Sequence, residues 1–401
     1  MRRSVLIMSL VLLSCGSNPP TEPDQGTPEG PDPAAGSFPI VNTGQRSFYD
    51  DQDVVAAPAV GEAFYGQDAH YQNAQPAYRD NGDGTVSDLV TGLMWQASPD
   101  LDDKVTFAEA VVAADTFGLA GYDDWRLPAI KELYSLIRFS GSSHTLTPYI
   151  DTAYFDFRFG DESRGERSID GQYWSSTEYV GLTMGGDATV FGVNFADGRI
   201  KGYPRDMGPG GVPNTQFVRY VRGNPDYGIN DFVDNGDGTI EDLATGLTWQ
   251  KTDSGSTNDW QGALAYCENL ELAGARDWRL PNAKELQSIV DYSRAPDALD
   301  PARIGPAIDP DFVVTDTESL YWTGTTLLES PPMLGTGAHA AYVAFGQARG
   351  NMFGSWINVH GAGAQRSDPK SGDPADWADG FGPQGDEIRI YNYARCVRGG
   401  A

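Results

Sequence analysis

Positive charge is scarce in this chain: 28 Lys and Arg stand against 56 Asp and Glu, for a formal net charge of -28. That imbalance leaves no general basic footprint for nucleic acid or anionic lipid, and nucleic acid is excluded as an expected partner. Histidine is scarcer still. The four residues His70, His144, His339 and His360 include no two at a metal-ligand spacing. Nor is there a nucleophile elbow, a Walker loop, a zincin helix or a dinucleotide fingerprint, so no residue is assigned a catalytic role. Long hydrophobic runs are lacking, because the segment from Val5 to Leu13 is too short to span a membrane permanently. Cysteine occurs only three times, at Cys15, Cys267 and Cys396.

What is plentiful is glycine, with 48 residues, and tyrosine, with 19, while hydrophobic residues make up 40% of the chain. Many short apolar runs lie between turn residues, a pattern of short strands, few helices and enough apolar mass for packed cores.

The chain also contains its own alignment. Asp124-Trp125-Arg126-Leu127-Pro128 returns as Asp277-Trp278-Arg279-Leu280-Pro281. Upstream, Asp80-Asn81-Gly82-Asp83-Gly84-Thr85 returns from Asp234, and Thr91-Gly92-Leu93-Met94-Trp95-Gln96 returns from Thr245. Downstream, Lys131-Glu132-Leu133 matches Lys284-Glu285-Leu286, Tyr173-Trp174-Ser175 matches Tyr321-Trp322-Thr323, and the stretch from Val218 to Gly223 matches Ala394 to Gly399. The order never changes, so a domain is duplicated. The period is too long for a solenoid, and each copy is large enough to bury a core. The expected layout is a leader over 1–14, a tether over 15–36, and repeats over 37–224 and 225–401.

Arg2 and Arg3 before the apolar run have the architecture of a secretory signal. Its end, Leu12-Leu13-Ser14-Cys15, resembles a bacterial lipobox. The resemblance implies that Cys15 is diacylated and becomes the mature N-terminus, with Gly16 after it implying outer-membrane sorting. The expected location is therefore the bacterial cell envelope, facing the periplasm or the outside. The Pro, Gly, Asp and Glu of 16–36 bury little and suit a disordered tether. With Cys15 lipidated, Cys267 and Cys396 have only each other in an oxidising compartment. They align with Ala114 and Tyr220, so the first copy lacks both members together, and a disulfide is expected.

Each repeat reads as α+β. The Asp-Asn-Gly-Asp-Gly-Thr turn suggests an opening hairpin. Thr106-Phe107-Ala108-Glu109 is a capping box, starting a helix with Phe107, Val111 and Ala114 on one face, as Trp260, Leu264 and Cys267 are in the second copy. Pro128 suits the first position of a second helix, whose buried stripe is Ile130, Leu133 and Ile137, matched by Ala283, Leu286 and Val290. Tyr173 to Ser175, Thr189 to Phe195 and Val218 to Val221 read as strands of an antiparallel sheet built from both ends of the repeat.

The ordered motifs, ending in Val-Arg-Gly, resemble the C-terminal domain of the Legionella collagen-like protein, over roughly residues 38–223 and 229–400. Arg-Leu-Pro before a Glu-containing helix, with Arg-Cys-Val-Arg at the end, more distantly resembles the sulfatase-modifying factor group. That likeness implies two tandem C-type-lectin-like domains. Formylglycine-generating members use two cysteines close in sequence, whereas Cys396 stands alone, so the oxidase chemistry does not carry over. The family implies adhesion and glycan binding, which makes a non-catalytic surface module the expectation. An enzyme of related fold and a purely structural envelope protein are the alternatives. The chain has no Gly-X-Y stretch, and its acidity weighs against a sulfated ligand.

Two sets of side chains are candidate sites. The run from Trp356 to Asp386 is longer than its counterpart, Gly198 to Gln216, and reads as a polar loop outside the core. Its His360, Gln365, Arg366, Asp368, Lys370, Asp376, Trp377, Asp379, Gln384 and Asp386 combine planar polar groups for hydroxyls with an indole for a sugar face. A solvated Ω-loop would use the same residues. Asp80 and Asp83 with Asp88, and Asp234 and Asp237 with Asp242, offer oxygens for a weak extracellular Ca²⁺ site, though hairpin capping explains them equally. No other cofactor is expected. Arg126 and Arg279 are expected half-buried against Glu132 and Glu285.

Overall fold

The aspartates of each Asp-Asn-Gly-Asp-Gly-Thr stretch are spent on closing a hairpin. The Asp80 carboxylate accepts Gly82 N–H at 2.8 Å, and that of Asp83 accepts Thr85 N–H and hydroxyl at 3.0 and 2.6 Å. Asp234 and Asp237 repeat these bonds at 3.0, 3.1 and 2.6 Å. Both turn glycines of the first copy have positive φ, +73° and +88°, which side chains with a Cβ rarely adopt. The computed structural model describes residues 38–100, 103–328, 335–352 and 354–399. Cys15 and the segment 16–36 lie outside the described residues.

The hairpin strands Tyr78–Asp80, Thr85–Asp88 and Leu93–Gln96 are joined by Val221–Gly223, so each end of the repeat enters one four-stranded antiparallel sheet. The second copy does the same with Phe232–Asp234, Thr239–Asp242, Leu247–Gln250 and Val397–Gly399. Helix α1, Phe107–Ala114, starts at the expected Thr106–Glu109 capping box. Its buried face is Phe107 and Ala110, however, and Val111 is 42% exposed. The i to i+3 pair sits under Trp174, and the i+4 residue rotates into solvent. In α3, Trp260–Glu268, the expected Trp260, Leu264 and Cys267 are all buried. Helices α2, Ile130–Ser135, and α4, Ala283–Ser288, begin two residues after the proline rather than on it, because Ala129 and Asn282 hold the cap. Their expected stripes are buried.

Arg-Leu-Pro ties these parts together. Arg126 and Arg279 exchange backbone hydrogen bonds with Val221 and Val397 at 2.9–3.0 Å. Their guanidinium groups fork onto Glu132 and Glu285 and also reach the carbonyls of Gly223 and Gly399. The same glutamates accept the N–H of the capping residue, at 2.7 and 2.8 Å, so one ion pair fixes both the last strand and the helix start.

The Cys267–Cys396 disulfide is present, with its Cα atoms 5.4 Å apart, in a core with Trp260, Trp278 and Trp322. In the first copy the gap is filled by a ring. Tyr220 packs on Phe117 at 4.5 Å between centroids, and its hydroxyl donates to the Ala110 carbonyl at 3.2 Å.

The repeats do not keep separate cores. The described residues form one compact unit, and a single cluster joins Ile130, Leu133 and Phe191 to Ala283, Leu286 and Tyr321. Over it runs a six-stranded antiparallel sheet with three strands from each copy. Its order is Gln172–Glu178, Thr189–Asn194, Arg199–Pro204, Gln365–Pro369, His339–Ala344 and Leu320–Leu327. The copies meet where Ile200 pairs with Gln365, which gives the sheet a pseudo-twofold centre. Parts of the two stretches read as loops, after Gly198 and after Trp356, are therefore the innermost strands. Their charges are tolerated because they pair at the seam. Asp197 neutralises Lys201 and lies 3.7 Å from Arg199, Arg199 bonds Ser367 at 2.9 Å, and Arg366 pairs with Asp386.

Replacing both Cys267 and Cys396 with Ser is expected to lower stability by roughly 3–5 kcal/mol on the chain-entropy model of a long closed loop. Urea denaturation of the two proteins without reductant measures the difference. With dithiothreitol present, the wild-type curve should move to that of the variant.

Candidate functional site

Most of the side chains expected to form an exposed ligand loop are sealed instead. His360, Gln365, Arg366, Asp368 and Lys370 are all at most 4% exposed, and Asp386 is 8%. The Asp386 carboxylate holds Arg366 and accepts from or pairs with His360 Nε2 at 2.9 Å. Burial opposes its charge, but Arg366 and His360 hold it well below the usual carboxylate range. Burial, aided by the Arg366 charge, pushes His360 down to about 4 and leaves it neutral at pH 7. Gln365 accepts from the Tyr134 hydroxyl at 3.1 Å, and Asp368 accepts from Arg389 N–H, Ile390 N–H and Asn392 Nδ2 at 2.9–3.1 Å. Lys370 lies 3.8 Å over the Trp260 ring. Each of these side chains is engaged within the folded body rather than presented at the surface, although His360 Nδ1, Arg366 Nε and Nη1 and Asp368 Oδ1 are buried without a hydrogen-bond partner among the described residues. Asp376 and Asp379 alone are fully on the surface. Trp377 is half-buried edge-on against Phe381 at 5.5 Å, and Gln384 is half-buried. The ten residues are thus not brought together at one surface.

The proposed calcium oxygens are those that close the hairpins, and Asp234 also pairs with Lys251. Among the described residues no three His, Cys, Asp or Glu side chains come together as a metal set.

A well-formed concavity lies elsewhere, between the repeats. A cleft of about 590 Å³ opens at the start of α2, with Arg126, Lys131, Ser176 and Thr177 on the first-repeat side and Asp291, Tyr292 and Asp309 on the second. Lys131 donates to the Gly228 carbonyl at 3.1 Å and to Asn230 Oδ1 at 2.8 Å, which holds the inter-repeat link along one edge. Burial brings its ammonium down to about 8, against the opposing charges of Asp242 and Asp291.

The second repeat has the same residues at the start of α4, but there they are covered. The covering piece is the arm of residues 38–77, which is expected to belong to the first repeat but lies ahead of its opening hairpin strand Tyr78–Asp80 and packs on the second. Asp68 accepts from the Thr43 and Thr325 hydroxyls at 2.7 and 2.6 Å, Asn73 donates to Glu285 at 2.6 Å, and Tyr71 stacks 5.0 Å from the Arg279 guanidinium. The arm backbone passes so close to Gly324 that a Cβ there would meet Asp68 N at 3.2 Å. Thr325 is accordingly 0% exposed, whereas its counterpart Thr177 is half-buried and Ser176, the counterpart of Gly324, is exposed. Thr177 and Thr325 are equivalent by contact as well as by alignment, accepting Ile130 N–H and Ala283 N–H at 3.0 and 2.9 Å.

The alignment of the two copies carries a signal for this cleft that shared motifs do not. Where the first copy has Arg138, paired with Asp151, the second has Asp291, and where the second has Gly324 the first has Ser176. More simply, one copy is preceded by a long ordered arm and the other only by the short link 224–231.

The arm is docked through a titratable group. Burial raises Asp68 to about 6, against the two hydroxyl bonds from Thr325 and Thr43, and the Glu285 charge adds to the rise. The folded state therefore holds the Asp68 proton more tightly than the unfolded chain, whose value is 3.8. The stability this confers is complete below that value and is lost as pH rises through about 6. Asp68→Asn should thus gain on wild type by roughly 2–3 kcal/mol between pH 4 and pH 7.5, because each tenfold difference in proton affinity between the two states is worth about 1.4 kcal/mol. Paired urea titrations at the two pH values read the change.

No curated protein and no solved structure matches the chain. A family model described as the Lcl C-terminal domain matches residues 84–222 and again 238–358, together more than half of the chain. Both matches span the Arg-Leu-Pro element and the strands on either side of it, and they lie in the order of the internal repeat. The chain belongs to the Lcl C-terminal domain family, of which it carries two tandem copies.

Proposed function

We propose that this protein is a non-catalytic binding module of the bacterial cell envelope and that the cleft between its repeats is the ligand site. The observation that carries the reading is the asymmetry between two otherwise equivalent places. At the start of α4 the polar groups around Arg-Leu-Pro are satisfied by the chain's own arm, and at the start of α2 the matching groups line an open cleft of about 590 Å³. A concave site with a few convergent polar groups between two packed units is where ligands bind. The lipobox-like Leu12-Leu13-Ser14-Cys15 supports anchoring through lipid at Cys15. The acidic Pro/Gly segment 16–36 would then carry the folded body off the membrane to meet a glycan or protein on a neighbouring surface. A C-type-lectin-like architecture for each repeat fits this role. It draws support from the two early helices, the sheet closed by both ends of the repeat, and the disulfide tying α3 to the final strand.

The test is binding of the full chain to immobilised cell-surface glycans and surface proteins, compared with Ser176→Trp and Trp377→Ala. Ser176 is exposed, so the indole fills the cleft at little cost in stability. Ser176→Trp should weaken binding at least tenfold, while Trp377→Ala leaves it within twofold. The opposite pattern would move the site to the surface loop around Trp377, and an absence of binding across the panel would sink the module reading.

A further inference from the structure

The arm that fills the second repeat's site also shows what chemistry the first repeat's cleft lacks. Residues Asn42 to Gln45 run between the repeats. The Thr43 carbonyl accepts Phe139 N–H at 2.8 Å, the Asn42 carbonyl accepts from Lys284 Nζ at 3.3 Å, and the Gln45 side chain bonds the backbone of Thr326 through both its ends. Thr43 then hands on to Asp68, whose carboxylate lies on Thr325. The arm thus supplies a main-chain carbonyl to one repeat and a carboxylate to the other.

Each of these acceptors has a vacant counterpart in the open cleft. Phe139 aligns with Tyr292, which lines the cleft, and among the described residues Tyr292 N–H has no hydrogen-bond acceptor. Thr325 aligns with Thr177. Its oxygen accepts Ile130 N–H, and its hydroxyl hydrogen is given no acceptor by the described residues. The segment from Asn224 to Asp231, which aligns with residues 70–77, is already in place there, held by Lys131. What has no counterpart is the earlier part of the arm, residues 38–69.

We propose that the cleft between the repeats binds an extended polypeptide segment of a partner, whose main-chain carbonyl accepts from Tyr292 N–H and whose Asp or Glu side chain accepts from the Thr177 hydroxyl. This rests on the reading of the cleft as the ligand site and names the class of ligand. A backbone N–H awaiting a carbonyl, in a groove that elsewhere in the same molecule holds a polypeptide, favours peptide over glycan. The occupant differs from the arm in two respects. Ser176 adds a Cβ where Gly324 has none, so the bound backbone stands a few tenths of an ångström further out. Asp291 replaces Arg138, so the occupant is not acidic along its whole length.

The probe is a synthetic peptide with the sequence of residues 38–69, added to the full chain whose own arm is in place. Backbone hydrogen exchange is followed by mass spectrometry. The expected result is saturable protection confined to segments 126–132, 176–178 and 289–292, with 320–327 unchanged. The peptide carrying Asp68→Ala, and the protein variant Thr177→Val, should each weaken the binding at least fivefold, while Thr177→Ser, which keeps the hydroxyl that also accepts Ile130 N–H, should bind within twofold of wild type. The same readout is taken with a panel of soluble oligosaccharides. Protection of these segments by an oligosaccharide but not by the peptide would overturn the inference and leave the binding-module reading standing. Protection by neither would overturn the inference and count against the cleft as a site. Protection by the peptide at 320–327 instead would show exchange with the resident arm and likewise overturn it.

Discussion

The fork of Arg126 onto Glu132, repeated by Arg279 onto Glu285, is the constraint on which the rest of each repeat depends. A guanidinium and a carboxylate taken out of water are costly unless all their hydrogen-bonding positions are used. Here they are used on the backbone. The glutamate also accepts the capping N–H of its helix, and the arginine also donates to the carbonyl that ends the final strand. The first and last thirds of a repeat cannot separate without stranding a buried charge. Because the same pair sets where α2 begins, it also sets the wall of the cleft. The Glu132 pair is the more exposed of the two, with Arg126 at 36% against 6% for Arg279, and that difference is the arm's doing.

Local elements are legible wherever a residue's neighbours in sequence are also its partners in space. The hairpin turns, the Thr106 capping box and the stripes of α2 and α4 fall in this class, whereas the cysteine pair, 129 positions apart, is legible only by comparing the two copies. The α1 face departs from its pattern at Val111 because period alone cannot distinguish an i+3 from an i+4 partner when the helix is two turns long. Asn282 shows the same limit at a helix start. A proline marks the neighbourhood of the cap, and the hydrogen bonds decide the residue.

The widest gap between sequence and structure comes from equating polarity with exposure. Arg199, Lys201, Gln365, Arg366 and Asp368 look like loop residues because charged side chains are seldom buried singly. They are buried together, at the line where one repeat's sheet meets the other's; some partners lie nearby, as Asp197 does to Lys201, but the pairs that cross the seam, Arg199 with Ser367 and Gln365 with Tyr134, join one copy to the other. No window of sequence contains both halves of such a pair. The cleft is hidden for a related reason, since it is defined by an arm that is present on one side and absent on the other. Comparing the two copies for what each lacks, rather than for what they share, is the route to it.

The seam strand Arg199–Pro204 has a consequence for how the molecule comes into being. Its outer edge is covered only by a strand that comes roughly 165 residues later, and closing so long a loop is slow however cheap it is at equilibrium. Until then a first repeat that has otherwise folded carries a bare sheet edge, a template for any free strand it meets. A second copy of the same repeat is the best-matched cover for that edge. Gene duplication would have turned a contact between two chains, dependent on concentration, into one within a single chain, where the cover always arrives.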